Sequence, residues 1–503
     1  MIPMLMGIDI GTSACKVGVF NTDGVLVASA TKPYKVYYPQ SGWAEQNPNE
    51  WYAAICQATQ EVCAKVGSEN ITAVGIDGQG WSAIPVDKSG NVLDNTPIWF
   101  DTRANEECAQ MLDTIGFDSL FAVTGNPVTP SYSSPKIMWL KKHKPEIYAK
   151  ADKFLQSNAY IAYKLTGNFS QDKSQGYGLF FYDMNSCTYN ADMADKMGLD
   201  LEKFPEIVDC HAVVGTVTST AADETGLKPG TPVVAGGLDA ACGTLGVGVC
   251  RPGQTQEQGG QAGGMSICVD SAKAHPKLIL SNHVVPDLWL LQGGSVGGGG
   301  TIKWFSEQFG KAFDDGSGKN LLKLIDESAA KISAGSDGVI FLPYMAGERS
   351  PIWDTKAKGV YFGLSYDKSI AHMARATMEG VAYSLLHNIE TAAEAGVTID
   401  CMYAMGGAAN SRLWTQLKAD VTNTTIYVPD SDNASTLGAC ILAGLGTGVY
   451  KSCADAVDKT VSVKREHIPN IDNHKKYQQY FPIYKELYED LKDTYAKLNN
   501  INL

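Results

Sequence analysis

Runs of basic residues are missing from this sequence, and so is any excess of positive charge. The 503 residues include 41 Lys and Arg against 54 Asp and Glu, which gives a formal net charge of −13. No stretch carries five or more consecutive basic residues. An acidic chain without basic clusters offers no attractive surface to nucleic acid or to an anionic membrane. We therefore expect neither of these partners and favour small-molecule chemistry.

Long apolar runs and paired cysteines are missing as well. No apolar stretch is long enough to span a bilayer, and the first six residues lack the basic flank of a signal peptide, so they are interpreted as the start of a strand. The twelve cysteines are scattered singly, without C-x-x-C pairs or histidines at zinc-finger spacing. This pattern is typical of reduced, mostly buried thiols, and we expect a cytoplasmic protein without a zinc site.

Two common phosphate-binding motifs are also absent. Neither G-x-x-x-x-G-K-[ST] nor G-x-G-x-x-G occurs, which excludes a P-loop and a standard dinucleotide fingerprint. Any phosphate would have to be held in another way. The 51 glycines concentrate in a few loops, and glycine-rich loops let backbone amides reach an anion. The richest loops are residues 236–248, 259–264, 293–300 and 406–407.

The chain is longer than one hydrophobic core usually serves. At 503 residues, two domains of about 250 residues each are the default expectation. We place the boundary after residue 248, which gives an N-terminal domain of residues 1–248 and a C-terminal domain of residues 249–503. A cleft between the two domains is then available for a ligand.

A single carboxylate, Asp239, lies in a run of small and apolar residues, 233–248. The β-branched residues before it predict the end of a buried strand, and open α/β sheets bind ligands at the carboxyl ends of their strands. Burial raises the pKa of a carboxyl group toward the range of a useful general base. Asp239 is therefore the candidate catalytic base. The alternative is a turn aspartate that bonds its own backbone.

Three apolar runs at the N-terminus predict a meander of strands, over residues 5–10, 16–20 and 25–30. The first turn of this meander holds Gly11, Thr12 and Ser13, directly after the strand that ends near Asp9. Amide and hydroxyl groups in such a turn can bind phosphate oxygens, and the carboxylate can bind a hydrated metal ion. An ordinary hairpin turn is the alternative interpretation.

Two polar loops in the first half follow predicted strands. A helix over residues 48–66 and strands over residues 71–76 and 96–100 are predicted there. Gln79, Gly80 and Trp81 follow the first of these strands, and Asp101 and Arg103 follow the second. Donors, acceptors and a tryptophan ring together suit a sugar, so these five residues are candidate substrate ligands. For Asp101 and Arg103 the alternative is a helix N-cap beside a solvated arginine.

The second half contains further glycine-rich turns. One covers residues 256–265, and another, residues 293–300, leads into a helix predicted from Thr301. Gly406 and Gly407 stand shortly before a helix predicted from Arg412. A glycine pair that opens a helix offers free amides and a positive dipole end, although a structural turn is the alternative. With two aspartates at strand ends in the first half, these turns suggest a nucleotide clamped across a cleft.

The sequence resembles the FGGY family of carbohydrate kinases over essentially its whole length. One family signature matches residues 131–143, Ser-Tyr-Ser-Ser-Pro-Lys-Ile-Met-Trp-Leu-Lys-Lys-His. The other matches residues 359–364 and, after a spacer of seven residues, residues 372–379. Two long patterns that match in the same order are hard to obtain by chance. The resemblance implies an α/β fold of two ribonuclease H-like domains, of the actin and hexokinase ATPase type, with a cleft between the domains.

The same resemblance implies a catalytic apparatus. It implies ATP as the phosphate donor and Mg²⁺ as the metal, with Asp239 as the catalytic base and Asp9 as a catalytic residue near Mg²⁺. Thr12 and Ser13 would face the γ-phosphate. The nucleotide-binding residues implied in this way are Gly11, Thr12, Ser13, Gly260, Gln261, Gly263, Gly406, Gly407 and Asn410.

Residues 41–51 and 347–351 are most similar to the branch of the family that phosphorylates D-xylulose. Gly80 and Trp81 stand where that branch usually has Met-His, and residues 261–264 stand where a Gly-Thr-Ser-Gly or Gly-Thr-Gly loop is common. We expect D-xylulose as the acceptor, with gluconate, ribulose, erythritol and glycerol as alternatives within the family. The altered loop also leaves open a sugar sensor that binds ATP and transfers nothing. A homodimer is the default assembly.

Overall fold

The computed structural model describes residues 3–430 and 433–501, and within them each half of the chain centres on a seven-stranded sheet. The first sheet has, in spatial order, the strands Val213–Thr216, Pro232–Val234, Ile71–Gly78, Met4–Ile10, Ala14–Asn21 and Leu26–Pro33, with Gly237–Leu238 also paired to Ile71–Gly78. The second has Ile279–Asn282, Trp289–Ser295, Gly263–Val269, Gln254–Gly259, Cys401–Met405, Thr425–Pro429 and Val463–His467.

Shorter strands pair in twos outside these sheets. The pairs are Glu45–Gln46 with Thr96–Pro97, Ile84–Val86 with Lys153–Leu155, Gln171–Asp172 with Ile207–Val208, Tyr182–Asp183 with Thr188–Tyr189, and Ile340–Leu342 with Val360–Phe362. The strand predicted over residues 96–100 is therefore shortened to Thr96–Pro97. Beyond it the chain turns, so that the carboxylate of Asp101 accepts a hydrogen bond from the amide of Ala44 at 2.6 Å.

The two large sheets share one arrangement. In the first, Met4–Ile10 pairs antiparallel with Ala14–Asn21 and parallel with Ile71–Gly78. In the second, Gln254–Gly259 pairs antiparallel with Gly263–Val269 and parallel with Cys401–Met405. The predicted N-terminal meander is thus confirmed, and so is the α/β class with a related layout in each half.

Helices pack against both sheets. The α-helices are Pro48–Val66, Asn105–Thr114, Phe117–Thr124, Ser133–His143, Pro145–Lys150, Ser157–Thr166, Ala191–Lys196, Ser219–Thr225, Asp239–Gly246, Gly299–Phe309, Leu321–Ala329, Ile370–Glu394, Arg412–Thr422, Ala434–Gly446, Cys453–Thr460 and Ile471–Asn499. The first is as predicted: Asn47 caps it, proline occupies its first turn, and apolar residues spaced three or four apart, such as Trp51 and Ile55, are buried.

Two of these helices, Asp239–Gly246 and Ala434–Gly446, cross at the centre of the molecule. A Cβ atom added to Gly438 would lie 1.9 Å from the carbonyl oxygen of Cys242, so the two backbones are in direct contact. The second helix also lies on the first sheet, where a Cβ on Gly7 would approach the carbonyl oxygen of Thr436 to 2.2 Å. Glycine permits this close approach because it has no side chain. The contact fixes the helix that begins at Asp239 against both halves of the chain.

No helix in the described ranges is both long and apolar enough to cross a membrane. All twelve cysteines lie in those ranges, carry free thiols and are mostly buried, as the scattered spacing predicts.

Candidate active site

Three carboxyl groups meet where the central strands of the first sheet end. Asp9 and Asp77 are register partners on neighbouring parallel strands, and Gly237 is the register partner of Asp77 on its other side. Asp239 follows two residues later and opens the helix Asp239–Gly246. Asp9 and Asp239 are partly exposed, whereas Asp77 is completely buried. The predicted position of Asp239 at the carboxyl end of a strand is therefore confirmed.

The burial of this cluster changes the pKa of each group. Desolvation, together with the charge of Asp9, raises the pKa of Asp239 to about 7. Desolvation also raises the pKa of Asp9, against the opposing effects of a hydrogen bond to Asp77 and the charge of Lys16. These shifts have the expected direction, because a low dielectric and like charges both disfavour a carboxylate.

Asp77 was not singled out from the sequence. No donor outside the acidic cluster, among the residues that the structure describes, reaches either of its side-chain oxygens. Desolvation, followed by the charges of Asp9 and Asp239, raises its pKa well above the usual range. Burial and the two neighbouring carboxylates therefore both favour the neutral form of this carboxyl. The available signal was its position at the end of an apolar run, directly before Gly78.

Asp239 also makes the local bond that was considered as an alternative. The amide of Ala240 donates a hydrogen bond to its Oδ1 at 2.6 Å. This bond uses one lone pair of one oxygen and leaves the other oxygen without a hydrogen bond within the described ranges. The local bond to Ala240 and a free carboxylate oxygen are therefore compatible.

The turn after Asp9 is held from several sides. The indole N–H of Trp99 donates to the hydroxyl of Thr12 at 3.0 Å, and the side-chain amide of Gln46 donates to the carbonyl of Thr12 at 2.8 Å. The phenol of Tyr34 donates to the carbonyl of Gly11. Ser13 is exposed. The turn is thus fixed in shape and open to an anion.

The loop with Gln79, Gly80 and Trp81 lies beside the carboxyl cluster. Trp81 has a φ of +61°, a left-handed conformation that is strained for a bulky residue and that is often found at functional sites. Its ring packs against Tyr132, with centroids 4.7 Å apart, and against Tyr177 at 5.5 Å. Gln79 is buried and donates to the side chain of Gln46 at 2.7 Å. An aromatic wall therefore stands next to Asp239.

Asp101 and Arg103 form a buried ion pair. The Nε and Nη2 atoms of Arg103 donate to the two carboxylate oxygens of Asp101 at 2.9 and 2.8 Å, and Nη1 donates to Glu45 at 2.7 Å. The guanidinium lies 3.9 Å from the ring centroid of Trp43. The interpretation as a solvated arginine is wrong, since its side chain is 1% exposed. The direct sugar contact expected of Asp101 and Arg103 stays a prediction. In this structure the two groups bond one another, and Asp101 also accepts a hydrogen bond from the amide of Ala44.

The second half holds a large cavity, of about 920 Å³, beside its glycine-rich turns. Among the predicted nucleotide ligands, Gly260, Gln261, Gly407 and Asn410 line this cavity. Gly263 does not, because it begins the strand Gly263–Val269 and pairs with Ser295. Gly406 lies behind the lining, where a Cβ would be 2.8 Å from the carbonyl of Gly259.

The cavity also has walls that the sequence did not indicate. Residues from the helices Gly299–Phe309, Leu321–Ala329 and Arg412–Thr422 complete it, among them Lys303, Asp326 and Trp414. The cavity and the carboxyl cluster are neighbours in the fold. A Cβ on Gly243, in the Asp239 helix, would be 3.8 Å from the sulfur of Met405, which directly precedes Gly406.

Comparisons with known proteins agree with this geometry. A family model described as the FGGY family of carbohydrate kinases, N-terminal domain, matches residues 4–246, and the C-terminal domain model matches residues 267–447. The chain is 31% identical to a xylulose kinase of Staphylococcus epidermidis, over 99% of each chain.

Solved structures give the same picture. A xylulose kinase from Rhodospirillum rubrum is 27% identical, with a TM-score of 0.91 over 98% of this chain and 100% of that one. A gluconate kinase from Lactobacillus acidophilus is 26% identical, with a TM-score of 0.90 over 99% of this chain and 100% of that one. The two-domain fold implied by the sequence motifs is therefore confirmed.

Proposed function

Since the chain belongs to the FGGY family of carbohydrate kinases, whose sugar kinases use ATP as phosphate donor, we propose that it phosphorylates D-xylulose to D-xylulose 5-phosphate. The observation that carries this proposal is the position of Asp239. It is a carboxyl group with a pKa raised to about 7, at a strand end, between an aromatic wall and the turn after Asp9.

In this proposal Asp239 is the general base. Its free oxygen accepts the proton of the sugar hydroxyl as that hydroxyl attacks the γ-phosphorus and the bond to ADP breaks. A base with a pKa near the working pH is efficient because it is both available in the ionised form and basic enough to take a proton. The rest of catalysis is alignment and charge stabilisation, which phosphoryl transfer chiefly requires.

The turn after Asp9 supplies the charge stabilisation from this half of the chain. The backbone amides and hydroxyls of Gly11, Thr12 and Ser13 would donate to γ-phosphate oxygens. The bonds from Trp99 and Gln46 hold Thr12 in place, so little reorganisation is needed when charge develops. The cavity at Gly260, Gln261, Gly407 and Asn410 would receive the rest of the nucleotide.

The residues around Asp9 fit Mg²⁺. The described part of the chain has no group of three or more His, Cys, Asp or Glu side chains that could hold a metal ion by themselves. Mg²⁺ in kinases, however, is commonly bound by one or two carboxylates together with phosphates and water. Asp9 is partly exposed. Neighbouring Asp77 receives no hydrogen bond from outside the carboxyl cluster in the described residues. Asp9 would therefore hold the ion, which when bound neutralises phosphate charge.

D-xylulose is favoured over other acceptors by similarity along the full length to proteins named xylulose kinase. Gluconate is the second candidate, because a gluconokinase of Bacillus subtilis is 27% identical over 99% of this chain. Trp81 also stands at a position expected to contact the acceptor, where the xylulose branch usually has histidine. Ribulose, erythritol and glycerol remain alternatives within the family.

A panel of these acceptors with Mg-ATP tests the proposal. We expect ADP release, coupled to NADH oxidation, to rise most strongly with D-xylulose. A higher kcat/KM with gluconate or with another acceptor of the panel would contradict the assignment of D-xylulose. The assignment of kinase activity would stand. If the rate of ADP release is the same with and without every acceptor, the result would favour a sensor that hydrolyses ATP slowly.

Replacing the base tests the mechanism independently of the sugar. Asp239→Ala should lower kcat by about two to four orders of magnitude through loss of the base and should keep nucleotide binding. ATP binding measured by calorimetry is the control. Sugar phosphorylation near the wild-type rate in this variant would exclude Asp239 as the base.

Three further assignments belong to this proposal. We place the domain boundary after residue 248, supported by the end of the central helix at Gly246 and a φ of +107° at Gly248, where the chain turns. We also propose a homodimer and a cytoplasmic location. Light scattering and cell fractionation would test the last two.

A further inference from the structure

The signature helix Ser133–His143 carries a buried lysine that the proposed mechanism does not use. The ammonium of Lys136 donates to the carbonyl oxygens of Trp81 and Ile98, both at 2.9 Å, and the residue is 1% exposed. These carbonyls belong to two different loops. One carries Gln79, Gly80 and Trp81, and the other precedes Trp99.

The cation at this position has no carboxylate partner within ion-pair distance in the described ranges. The charge of Asp101 favours the ammonium, but both oxygens of that carboxylate bond Arg103. Burial lowers the pKa of Lys136 to about 7, an effect that the charge of Asp101 opposes and that of Arg103 increases. An apolar side chain would avoid this unfavourable burial, but it would leave two buried carbonyls without donors.

Other residues of the same helical turn bind the same loop. The hydroxyl of Ser133 donates to the carbonyl of Ser82 at 2.8 Å, and the ring of Tyr132 packs on Trp81. The first turn of the signature helix therefore holds the Trp81 loop at consecutive carbonyls and at its side chain.

The second loop continues toward the phosphate-binding turn. Ile98 is followed by Trp99, whose indole N–H donates to the hydroxyl of Thr12. Trp99 is 40% exposed, so its ring is available to a ligand while its nitrogen is held. Lys136 thus holds the Trp81 loop next to the Trp99 loop, while Trp99 keeps its own bond to Thr12 independently of the lysine.

From this geometry we propose that Lys136 is a positioning residue for acceptor binding. It fixes the separation of the loops that carry Trp81 and Trp99 and so presents the acceptor hydroxyl to Asp239, without touching the acceptor. This inference rests on the proposed function, because it takes the Trp81 loop as the acceptor site. The proposal thereby assigns a role to the first signature motif, residues 131–143: holding the acceptor-binding loop in position.

The variant Lys136→Met tests it, since methionine is similar in length and has no donor. Loss of two buried hydrogen bonds should raise the acceptor KM by about 10- to 100-fold, while the ATP KM stays within about twofold. Lys142→Met is the matched control on the same helix, where the half-exposed lysine pairs with Glu106 and Glu107 and makes no bond to either loop. It should leave both constants unchanged.

Ser133→Ala provides a milder variant in case Lys136→Met folds poorly. It removes one bond to the same loop and should raise the acceptor KM by a smaller factor, again without changing the ATP KM. Restoration of acceptor KM by Lys136→Arg would further separate donation from simple packing. Equal losses for acceptor and ATP, or no change in a folded Lys136→Met protein, would overturn the proposal.

Hydrogen–deuterium exchange gives a readout that does not depend on the acceptor. In Lys136→Met, peptides covering residues 78–82 and 98–101 should exchange faster, and peptides covering residues 406–411 should not change. Unchanged exchange in both loops would overturn the proposal even in an active enzyme. If the wild type phosphorylates no acceptor, the proposed function fails, and the exchange experiment still decides whether Lys136 holds the loops.

Discussion

At the scale of single residues, the site depends on three neighbouring carboxyl groups, Asp9, Asp77 and Asp239, whose pKa values are all raised by burial. Asp77 is buried beside Asp9, and burial raises its pKa well above the usual range, whereas Asp239 is partly exposed. Because desolvation and the charge of Asp9 disfavour its carboxylate, Asp239 is a stronger base than an exposed aspartate would be. The same burial that is unfavourable for folding therefore favours proton transfer.

The pH dependence of the reaction follows from this shift. The pKa of Asp239 is raised from 3.8 to about 7, so the base is protonated and inactive below that pH. We expect kcat/KM to rise with pH, about tenfold per pH unit well below pH 7, and to level off above it. A series of kcat/KM values measured across pH at constant ionic strength shows this rise and the pH at which it levels off. If kcat/KM already levels off near pH 4, the environment of Asp239 does not raise its pKa in the working enzyme.

The contribution of Asp239 to folding stability depends on pH in the opposite direction to kcat/KM. The pKa of Asp239 is higher in the folded protein than the value of 3.8 expected for the unfolded chain, so the folded state binds protons more tightly. The contribution of this group to stability is therefore fully present below about pH 4 and is lost as the pH rises through 7. The pH that activates the base is thus the pH at which its burial is least favourable.

At the scale of helices and strands, glycines determine how closely the central elements pack. Gly438 and Gly243 lie on the two crossing helices, Ala434–Gly446 and Asp239–Gly246, and offer a matched pair of substitutions. A Cβ on Gly438 would meet the carbonyl of Cys242 at 1.9 Å, whereas a Cβ on Gly243 would meet the hydroxyl of Ser435 at 3.4 Å. The first contact forces backbone to move, and the second is ordinary.

We therefore expect opposite effects of the same chemical change. Gly438→Ala should destabilise the protein by about 1–3 kcal/mol, because it overpacks the crossing point. Gly243→Ala should be neutral or stabilising by up to about 1 kcal/mol, because alanine is the better helix former. Denaturant unfolding of both variants measures the difference. Equal stability of the two would show that the helices can separate without penalty.

Elements with a local signal could be predicted from the sequence. The meander and the helix Pro48–Val66 follow from apolar periodicity and capping residues, and the strand Pro232–Val234 follows from its β-branched run. The strand predicted over residues 96–100 was too long, because a tertiary bond to Ala44 bends the chain after Pro97. The local sequence pattern therefore determines that a helix or strand forms, and long-range contacts determine the residue at which it ends.

Residues that act through long-range contacts could not be predicted in this way. The role of Asp77 depends on its register with Asp9, and the pairing of Arg103 with Asp101 and Glu45 depends on the path of a loop. The cavity wall formed by Lys303, Asp326 and Trp414 joins segments that are far apart in the chain. Sequence motifs indicated the glycine turns at this cavity but not the side chains opposite them.

At the scale of the whole molecule, the candidate acceptor site and the nucleotide cavity lie in different halves of the chain. Trp81 and the carboxyl cluster lie at strand ends of the first sheet, and Gly407 and Asn410 follow the strand Cys401–Met405 of the second. The two halves are joined by the central helices and also by an edge strand of the second sheet, Ile279–Asn282, where Asn126 and Tyr182 of the first half bond Leu280 and Asn282. Because the sites have separate walls, the two binding steps should respond separately to mutation.

Gly407 tests this separation. A Cβ added to it would have no atom within 4 Å, yet the residue lines the cavity of about 920 Å³. Gly407→Leu should therefore leave the melting temperature nearly unchanged and place a side chain where the nucleotide binds. We expect the ATP KM to rise by about tenfold or more and the acceptor KM to change little, with Gly407→Ala showing a smaller effect in the same direction. Steady-state kinetics with each substrate varied in turn measures both constants. A parallel rise in the two constants would mean that the halves bind their substrates as one unit, and no rise in either would place the nucleotide elsewhere.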